Sequence, residues 1–235
     1  MAKATEKRCP KSSEALGNKA RATRQRILQR SLQLFNQHGV NGISTQQVAA
    51  DLGISPGNFN YYFPRKRDLI EACLDLLQER LHAALTRTEL FGSGLEGAEF
   101  LVNVYRTLWE FRFFFNGLTD ILTRDAVLQK KFMAFNEWAI AALEADCRQF
   151  CAQGVMLSEP TPNNYRLLVK NVWAIWLNWL RMQHIANPKA KTPNNEALLE
   201  CAMGEWSISQ SWLTPLYSAA LLDGFEQLLR KKNKI

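Results

Sequence analysis

The residue types best suited to chemistry lie in one short stretch, residues 55–70, which reads SPGNFNYYFPRKRDLI. It combines asparagine and tyrosine side chains, which donate and accept hydrogen bonds, with three consecutive basic residues. An asparagine presents a donor and an acceptor together and can pair bidentately with adenine in the major groove of DNA. Tyrosine, lysine and arginine side chains can donate hydrogen bonds to phosphate oxygens. The composition of this stretch therefore indicates contact with nucleic acid.

The sequence shows no set of residues that is typical of a catalytic or metal site. The three histidines, His38, His82 and His184, have no convincing catalytic neighbours. The five cysteines show neither the CxxC spacing nor the Cys/His spacing of a zinc site, and a disulfide framework is not indicated. We therefore expect no enzymatic activity, no cofactor and no metal.

Positive charge is concentrated in the first third of the chain. Residues 1–67 contain twelve Lys or Arg and three acidic residues, whereas residues 68–235 contain seventeen basic and nineteen acidic residues. This asymmetry is typical of a polyanion-binding module joined to a near-neutral body. A solubilising basic tail is the alternative, but it would not explain the run Arg65-Lys66-Arg67.

The sequence predicts neither secretion nor membrane insertion. The N-terminus lacks an apolar signal region. The most apolar run, Val172 to Leu180, is interrupted by Asn178 and is too short to cross a bilayer. We expect a cytoplasmic protein without a membrane partner.

Hydrophobic periodicity predicts an all-α fold that begins with two helices. Apolar residues recur at helical spacing from Ala22, and Gly39 is placed to end this first helix. Ser44-Thr45-Gln46-Gln47 then fits a capping box, in which the serine and glutamine side chains each bond the backbone of the other. Gly53 is placed to end the second helix.

A third helix is predicted over about residues 55–63, because Ser55 can cap it and Pro56 suits the first helical position. Pro64 should break this helix, and a longer helix should extend from near Arg65 toward residue 87 or 89.

The remainder of the chain shows long apolar stripes and no alternating β pattern of convincing length. Residues 91–95, FGSGL, are the best candidate for a linker. We expect the last helical segment to split around Met203-Gly204 and to kink at Pro215. The predicted segments are 97–115, 126–152, 163–186 and 195–230.

Two short helices joined at Gly53-Ile54-Ser55 and braced by a preceding helix indicate a helix-turn-helix. In that motif the second helix lies in the major groove of DNA, and its N-terminal residues contact base edges. Taken singly, an exposed asparagine or a basic run is more often part of a solvated surface. A capped helix, a glycine turn, a polar helix face and a basic run that occur together favour DNA binding. The N-terminal arm could add minor-groove or phosphate contacts through Lys11, Lys19, Arg21 and Arg24. The predicted DNA-contacting residues are Thr45, Gln46, Ser55, Pro56, Gly57, Asn58, Asn60, Tyr61, Tyr62 and Lys66.

Residues 21 to about 75 resemble the N-terminal domain of TetR-type bacterial transcriptional regulators. The matching elements are the first helix ending at Phe35 and Gly39, the turn A-x-x-L-G-[IV]-S, and G-N-[FL]-x-Y-[HY]-F-x-x-K. Asn60 departs from this pattern, since family members very often have tyrosine there. A milder departure is Tyr62, where histidine is common.

The resemblance implies a C-terminal helical body that dimerises and binds a small inducer. The expected organisation is a flexible basic arm (1–20), a helix-turn-helix domain (21–67), a connecting helix (68–90) and a regulatory and dimerisation domain (91–235). The stretch LWEFRFFFNGLTDILTRDAVLQKKFMAFNEW also resembles part of one TetR subfamily. By family analogy, helices at about 163–186 and 207–230 form the dimer interface, with Trp173, Trp176, Trp179 and Trp212 as candidate anchors.

All seven tryptophans follow residue 100 and have two possible roles. They can line an apolar ligand pocket, or they can belong to the helical core and the dimer interface. Arg112 could orient a ligand, or it could pair with Glu110 or Asp120 at the surface. The candidate ligand-binding residues are Trp109, Arg112, Phe113, Trp138, Trp176 and Asn178.

The sequence-based hypothesis is a homodimeric repressor that leaves a palindromic DNA operator when a small apolar or aromatic effector binds. An activator and a ligand-independent architectural DNA-binding protein are the alternatives.

Overall fold

The computed structural model describes residues 17–85, 93–159 and 164–232 and confirms an all-α fold. The predicted arm, residues 1–20, falls outside the described ranges except for its last residues. The described part contains a single isolated β-bridge, between Met156 and Leu213, and no β-strand. No helix in these ranges is long and apolar enough to cross a bilayer.

The chain divides into two compact units, Met1–Leu74 and Asp75–Ile235. One helix, α4, runs through the boundary between them. The helices of the first unit and α4 are α1 (Asn18–His38), α2 (Thr45–Asp51), α3 (Pro56–Tyr62) and α4 (Lys66–Leu85). Those of the second unit are α5 (Gly94–Glu110), α6 (Arg112–Asn116), α7 (Leu118–Arg124), α8 (Ala126–Ala152), α9 (Tyr165–Ala186), α10 (Asn195–Ser209) and α11 (Pro215–Lys232).

Local hydrogen bonds set the helix boundaries of the first unit. The Ser44 hydroxyl accepts from the Gln47 amide at 3.2 Å, and the Gln47 side chain accepts from the Ser44 amide at 2.7 Å, so the capping box is present. The turn after α2 places Gly53 at φ 65°, a left-handed conformation that favours glycine. Ser55 then caps α3 by accepting from the Asn58 amide at 3.2 Å.

Three helix predictions for the second unit were wrong. The segment at 97–115 is two helices, because the chain leaves helical geometry at Phe111. The last segment is divided by a 3-10 turn at Gln210–Trp212, and Gly204 lies inside α10. Pro215 begins α11 and does not kink it, since the first helical position needs no N–H donor.

Two glycines bring α5 and α11 into close backbone contact. A Cβ atom on Gly94 would lie 1.8 Å from the carbonyl oxygen of Ala220, and one on Gly224 would lie 2.3 Å from the carbonyl oxygen of Gly94. These separations are far below van der Waals contact, so any larger residue would push the helices apart. The contact therefore fixes the spacing of α5 and α11.

A short extended segment after α8 is tied to the chain just before α11. The Leu157 amide donates to the Trp212 carbonyl at 2.7 Å, and the Thr214 amide donates to the Val155 carbonyl at 2.9 Å. These bonds surround the Met156–Leu213 bridge. They hold the end of α8 beside the start of α11 and so position both helices around the interior of the second unit.

Gly224→Ala should destabilise the protein by roughly 1–3 kcal/mol, because its methyl group would meet backbone that cannot rotate away. Gly204→Ala is the matched control, since a Cβ atom there has no neighbour within 4 Å. That substitution should be neutral or stabilise α10 by up to about 1 kcal/mol. Chemical denaturation of both variants measures the difference; equal stability of the two would contradict the close-contact interpretation.

Candidate nucleic-acid interface and ligand cavity

The α3 helix separates a buried anchor from an exposed polar face. Phe59 is only 1% exposed and packs 6.1 Å from the Phe63 ring, also buried, which fixes the orientation of α3. The opposite side of the helix reaches solvent. The exposed residues at and within α3 are Ser55, Pro56, Gly57, Asn58, Asn60 and Tyr61. These six are among the residues predicted from the sequence to contact DNA, and that contact stays a prediction.

The two tyrosines of α3 have different environments. Tyr61 is 61% exposed, whereas Tyr62 is half-buried. Their rings meet edge to face with centroids 5.0 Å apart, so Tyr62 supports the position of Tyr61. At the start of α2, Gln46 is exposed and Thr45 is half-buried.

Gly57 has no folding role that the structure reveals. A Cβ atom at this position would have no neighbour within 4 Å, and its backbone does not have a positive φ. Glycine inside a helix costs about 1 kcal/mol relative to alanine. A close approach of another molecule to the backbone of α3 would explain why this cost is tolerated.

The basic run that follows α3 is engaged within the protein. Arg65 pairs with Asp68 at 2.6 Å, and Arg67 lies 3.7 Å from Glu71. The half-buried ammonium group of Lys66 donates to the Val40 carbonyl, and burial lowers its pKa. All three basic residues of the run therefore have partners within the protein. The predicted phosphate contact of Lys66 stays a prediction, and its side chain would first have to leave Val40.

Asp68 and Glu71, the acidic partners of this run, lie just beyond residue 67, the predicted end of the helix-turn-helix domain. With the structural boundary at Leu74, the first unit carries twelve basic and five acidic residues, a net charge of +7, and the second unit carries seventeen of each. The first unit is therefore still more positive than the second, although the difference in net charge is smaller than with a boundary at residue 67.

Arginines of α1 brace the helix-turn-helix, a role that sequence reasoning missed. Arg30 binds both carboxylate oxygens of Asp51, with N–O distances of 2.5 and 2.8 Å, and this pairing lowers the pKa of Asp51. Arg26 donates to the Leu52 carbonyl at 3.0 Å, and the Arg24 guanidinium lies 5.0 Å from the centre of the Phe63 ring. Arg24, which the sequence analysis considered for DNA contact, therefore has a structural contact as well.

The second unit contains a cavity of about 120 Å³ among its helices. Most of its wall is apolar and comes from α5, α8, α9, α11 and the segment that follows α8. Gly97 of α5 and Tyr217 of α11 both line it, so the close contact of these helices shapes one side of the cavity. The apolar and aromatic lining residues include Phe100, Leu101, Leu143, Phe150, Val155, Met156, Leu168, Val169, Val172, Trp176, Leu213 and Leu221.

Two carboxylic acids, Asp146 and Glu205, are the only charged residues in the described lining of this cavity. Glu205 is half-buried, and its Oε2 atom accepts from the Tyr105 hydroxyl and from Trp176 Nε1, the latter at 2.9 Å. Burial raises the pKa of Glu205 and raises that of Asp146 to about 6. Sequence reasoning missed both acids, since neither belongs to a recognisable motif.

Of the six candidate ligand-binding residues, the cavity includes Trp176 alone. Phe113 is buried among other rings, 6.0 Å from Phe114. Trp138 stacks on His82 at 5.9 Å, and Asn178 is exposed on the outer face of α9. The cavity therefore brings only one of the six candidates to its wall, and a ligand role for the other five stays a prediction.

Arg112 is buried and is not among the residues that line the cavity. It donates to the carbonyls of Trp109 at 3.1 Å and Ala190 at 2.9 Å, and its guanidinium lies 4.6 Å from the centre of the buried Trp109 ring. The structure gives it no pairing with Glu110, which contacts Arg80, or with Asp120, which contacts Arg124. The pairing of Arg112 at the surface is therefore wrong, and its bond to Ala190 joins α6 to the chain after α9. Its role toward a ligand stays a prediction.

Two family models match the chain. One, described as bacterial regulatory proteins of the tetR family, matches residues 27–73, and one described as a bacterial transcriptional repressor matches residues 75–221. The chain belongs to the TetR family. It is therefore a DNA-binding transcriptional regulator, and regulators of this family are non-enzymatic. The two matched regions meet where the structural units of this TetR-family regulator meet, at Leu74 and Asp75.

Solved structures agree with the assignment to the TetR family. A TetR-family transcriptional regulator from Marinobacter aquaeolei VT8 is 29% identical, with a TM-score of 0.72, and the alignment covers 87% of this chain and 98% of that one. A TetR transcription regulator from Haloarcula marismortui ATCC 43049 is 17% identical, with a TM-score of 0.62 and coverage of 82% and 99%. GusR of Salmonella enterica is 19% identical, with a TM-score of 0.59 and coverage of 89% and 96%. The last two support the fold alone. No curated protein sequence matches significantly.

Asp146→Asn should stabilise this TetR-family regulator at neutral pH. Because folding raises the pKa of Asp146 from 3.8 to about 6, the folded state binds more protons in that range, and stability falls as pH rises through it. The asparagine variant removes this loss. Its thermal midpoint should exceed that of the unmodified protein by a few degrees above pH 6 and match it below pH 3.8.

Glu200→Gln is the control for this measurement, because Glu200 is an exposed acid of α10. It should leave the pH dependence of the midpoint unchanged. If the Asp146→Asn variant kept the full pH dependence, the burial of this carboxyl group would not be its cause.

Proposed function

We propose that this TetR-family regulator is a homodimeric repressor that binds a palindromic operator through α3 and is released by a small effector bound in the cavity. The observation that supports DNA reading by α3 is its division into a buried Phe59 and an exposed face with Asn58, Asn60 and Tyr61. Asparagine side chains on that face suit adenine in the major groove.

Dimerisation follows from the size of the reading element. A helix of seven residues can read only a few base pairs, whereas two copies related by a two-fold axis read half-sites about 34–36 Å apart. The predicted anchors Trp173 and Trp176 are 4% and 1% exposed within one chain and are therefore unsuitable. The exposed apolar residues of α9 and α11 are better candidates: Leu167, Met182, Ile185 and Leu216.

The effector response rests on the cavity. Release from DNA requires that the effector bind the non-operator conformation more tightly than the operator-bound one. The cavity is lined by residues from α5, α8, α9, α10 and α11, so a ligand there would contact five helices at once. The helix α4 continues from this unit into the unit that carries α3, which gives a covalent path for the coupling.

Selection of bound sequences from a random DNA pool tests the proposal. We expect a two-fold symmetric consensus, and sedimentation of the complex should show two protein chains per DNA. A preference for no sequence, together with a steep salt dependence, would instead indicate the architectural alternative. Reporter expression that falls in the absence of the protein would indicate an activator.

Asn58→Ala and Asn60→Ala should each relax the preference at one base position in each half-site and cost about 1–3 kcal/mol of specific binding. Repeating the selection with each variant measures this. Gln29→Ala, at an exposed position of α1, is the control. If both asparagine variants retained the original consensus, α3 would not read bases through these side chains.

Gly57→Ala should separate folding from DNA contact. The added methyl group meets open space and should stabilise α3 by up to about 1 kcal/mol, but it should weaken DNA binding if the backbone approaches DNA closely. Thermal unfolding of the variant measures the change in stability, and DNA titration of the same preparation measures the change in affinity. Unchanged DNA affinity would show that α3 keeps its distance at this residue.

A further inference from the structure

We propose that the effector is a lipophilic amine, a cation whose ammonium group binds between Glu205 and Asp146 while its apolar part fills the cavity. This inference rests on the proposed function, since it specifies the ligand class of the same cavity. A cationic effector is more specific than the apolar or aromatic effector expected from the sequence, because Glu205 and Asp146 would recognise its charge.

The charges around the cavity are of one sign. The described lining contains Asp146 and Glu205 and no Lys, Arg or His. Acidic groups in an apolar wall destabilise a protein unless a cation or hydrogen-bond donors compensate them. No ion pair of the described chain includes either residue, so the compensating cation is not supplied by a neighbouring side chain.

The hydrogen bonds of Glu205 leave one side of its carboxyl group for a ligand. The Tyr105 hydroxyl and the Trp176 indole N–H both donate to Oε2. Two donors on one oxygen orient the group and stabilise its negative charge. The described bonds do not use Oε1, and Glu205 is half-buried and lines the cavity. An ammonium group can therefore bond to Oε1 without displacing an existing partner.

The other titratable groups of the lining do not compete for this role. Burial raises the pKa of Cys147 to about 12 and raises that of Tyr217 above its usual value, so both stay protonated near neutral pH. Asp146 and Glu205 are then the carboxyl groups of the described lining to which an ammonium group can bond.

The dimensions of the cavity limit the apolar part of the effector. An engineered protein cavity of about 150 Å³ lined by aliphatic and aromatic residues holds benzene. The cavity here, at about 120 Å³, suits a group of similar size, one aromatic ring or a compact aliphatic chain. The aromatic faces of Phe100, Phe150 and Trp176 also favour a nearby cation.

Calorimetric titration of the full chain with three probes of similar size tests the inference: benzylamine, which is cationic at neutral pH, neutral benzyl alcohol, and anionic benzoate. Benzylamine should bind at least roughly tenfold more tightly than the other two, the gain typical of a hydrogen bond to a charged group. Its affinity should fall as pH is lowered through about 6, where Asp146 becomes protonated.

Substitutions at the two acidic residues test whether they bind the ammonium group of benzylamine. Glu205→Gln keeps an oxygen that can accept from Tyr105 and Trp176, and it removes the charge. This variant and Asp146→Asn should each weaken benzylamine roughly tenfold to a hundredfold and leave benzyl alcohol unchanged. Glu200→Gln, at an exposed position on the same helix as Glu205, should bind benzylamine as the unmodified chain does.

Failure of this inference can be distinguished from failure of the proposed function. If benzyl alcohol or benzoate binds as tightly as benzylamine and releases selected DNA, the cavity is an effector site but the assignment of a cationic ligand is overturned. Binding of benzylamine that is equal in all three variants and the unmodified chain would also overturn it. If none of the probes binds, the ligand class is wrong, whereas DNA reading by α3 is tested separately by the selection experiment.

Discussion

The second unit depends on the burial of one carboxyl group, that of Glu205. Removing a carboxylate from water costs several kcal/mol, and hydrogen bonds must offset this cost. Tyr105 of α5 and Trp176 of α9 both donate to the same oxygen of Glu205, which lies on α10. Three helices must therefore hold one relative position, and the rings of Tyr105 and Trp176 meet edge to face at 5.5 Å in that position. The cavity lies beside this junction because the carboxyl group forms part of its wall.

A second constraint closes the other side of the cavity. The backbone contact at Gly94 and Gly224 fixes the spacing of α5 and α11 and places Tyr217 at the lining. The resulting space is apolar except for acidic groups, and the raised pKa of Asp146 shows that its charge is unfavourable in the folded protein. Natural proteins tolerate such locally destabilising groups where a function requires them.

In the first unit, unlike in the cavity of the second, charged side chains around α3 have partners. Arg30, Arg65 and Arg67 are paired with acids, and Lys66 donates to a carbonyl group. These contacts fix the helices that surround α3. The exposed face of α3 itself carries neutral hydrogen-bonding groups, which suit the edges of bases, whereas the net charge of the unit can attract the DNA backbone.

The helices of the first unit, the polar face of α3 and the family could be predicted from short patterns in the sequence, whereas the cavity depends on the packing of distant helices. The capping bonds of Ser44 with Gln47 and of Ser55 with Asn58 join residues three positions apart, so a short sequence pattern contains both partners. Glu205 is 100 residues from Tyr105 and 29 from Trp176, and no local pattern relates them. For the same reason the sequence left the aromatic residues of the second unit with two possible roles, in a pocket or in the core. Only the packing of distant helices shows that Trp109 and Phe113 are buried in the core while Trp176 lines the cavity. Local hydrogen bonds are encoded by neighbours in the chain, whereas a cavity wall depends on how distant helices pack.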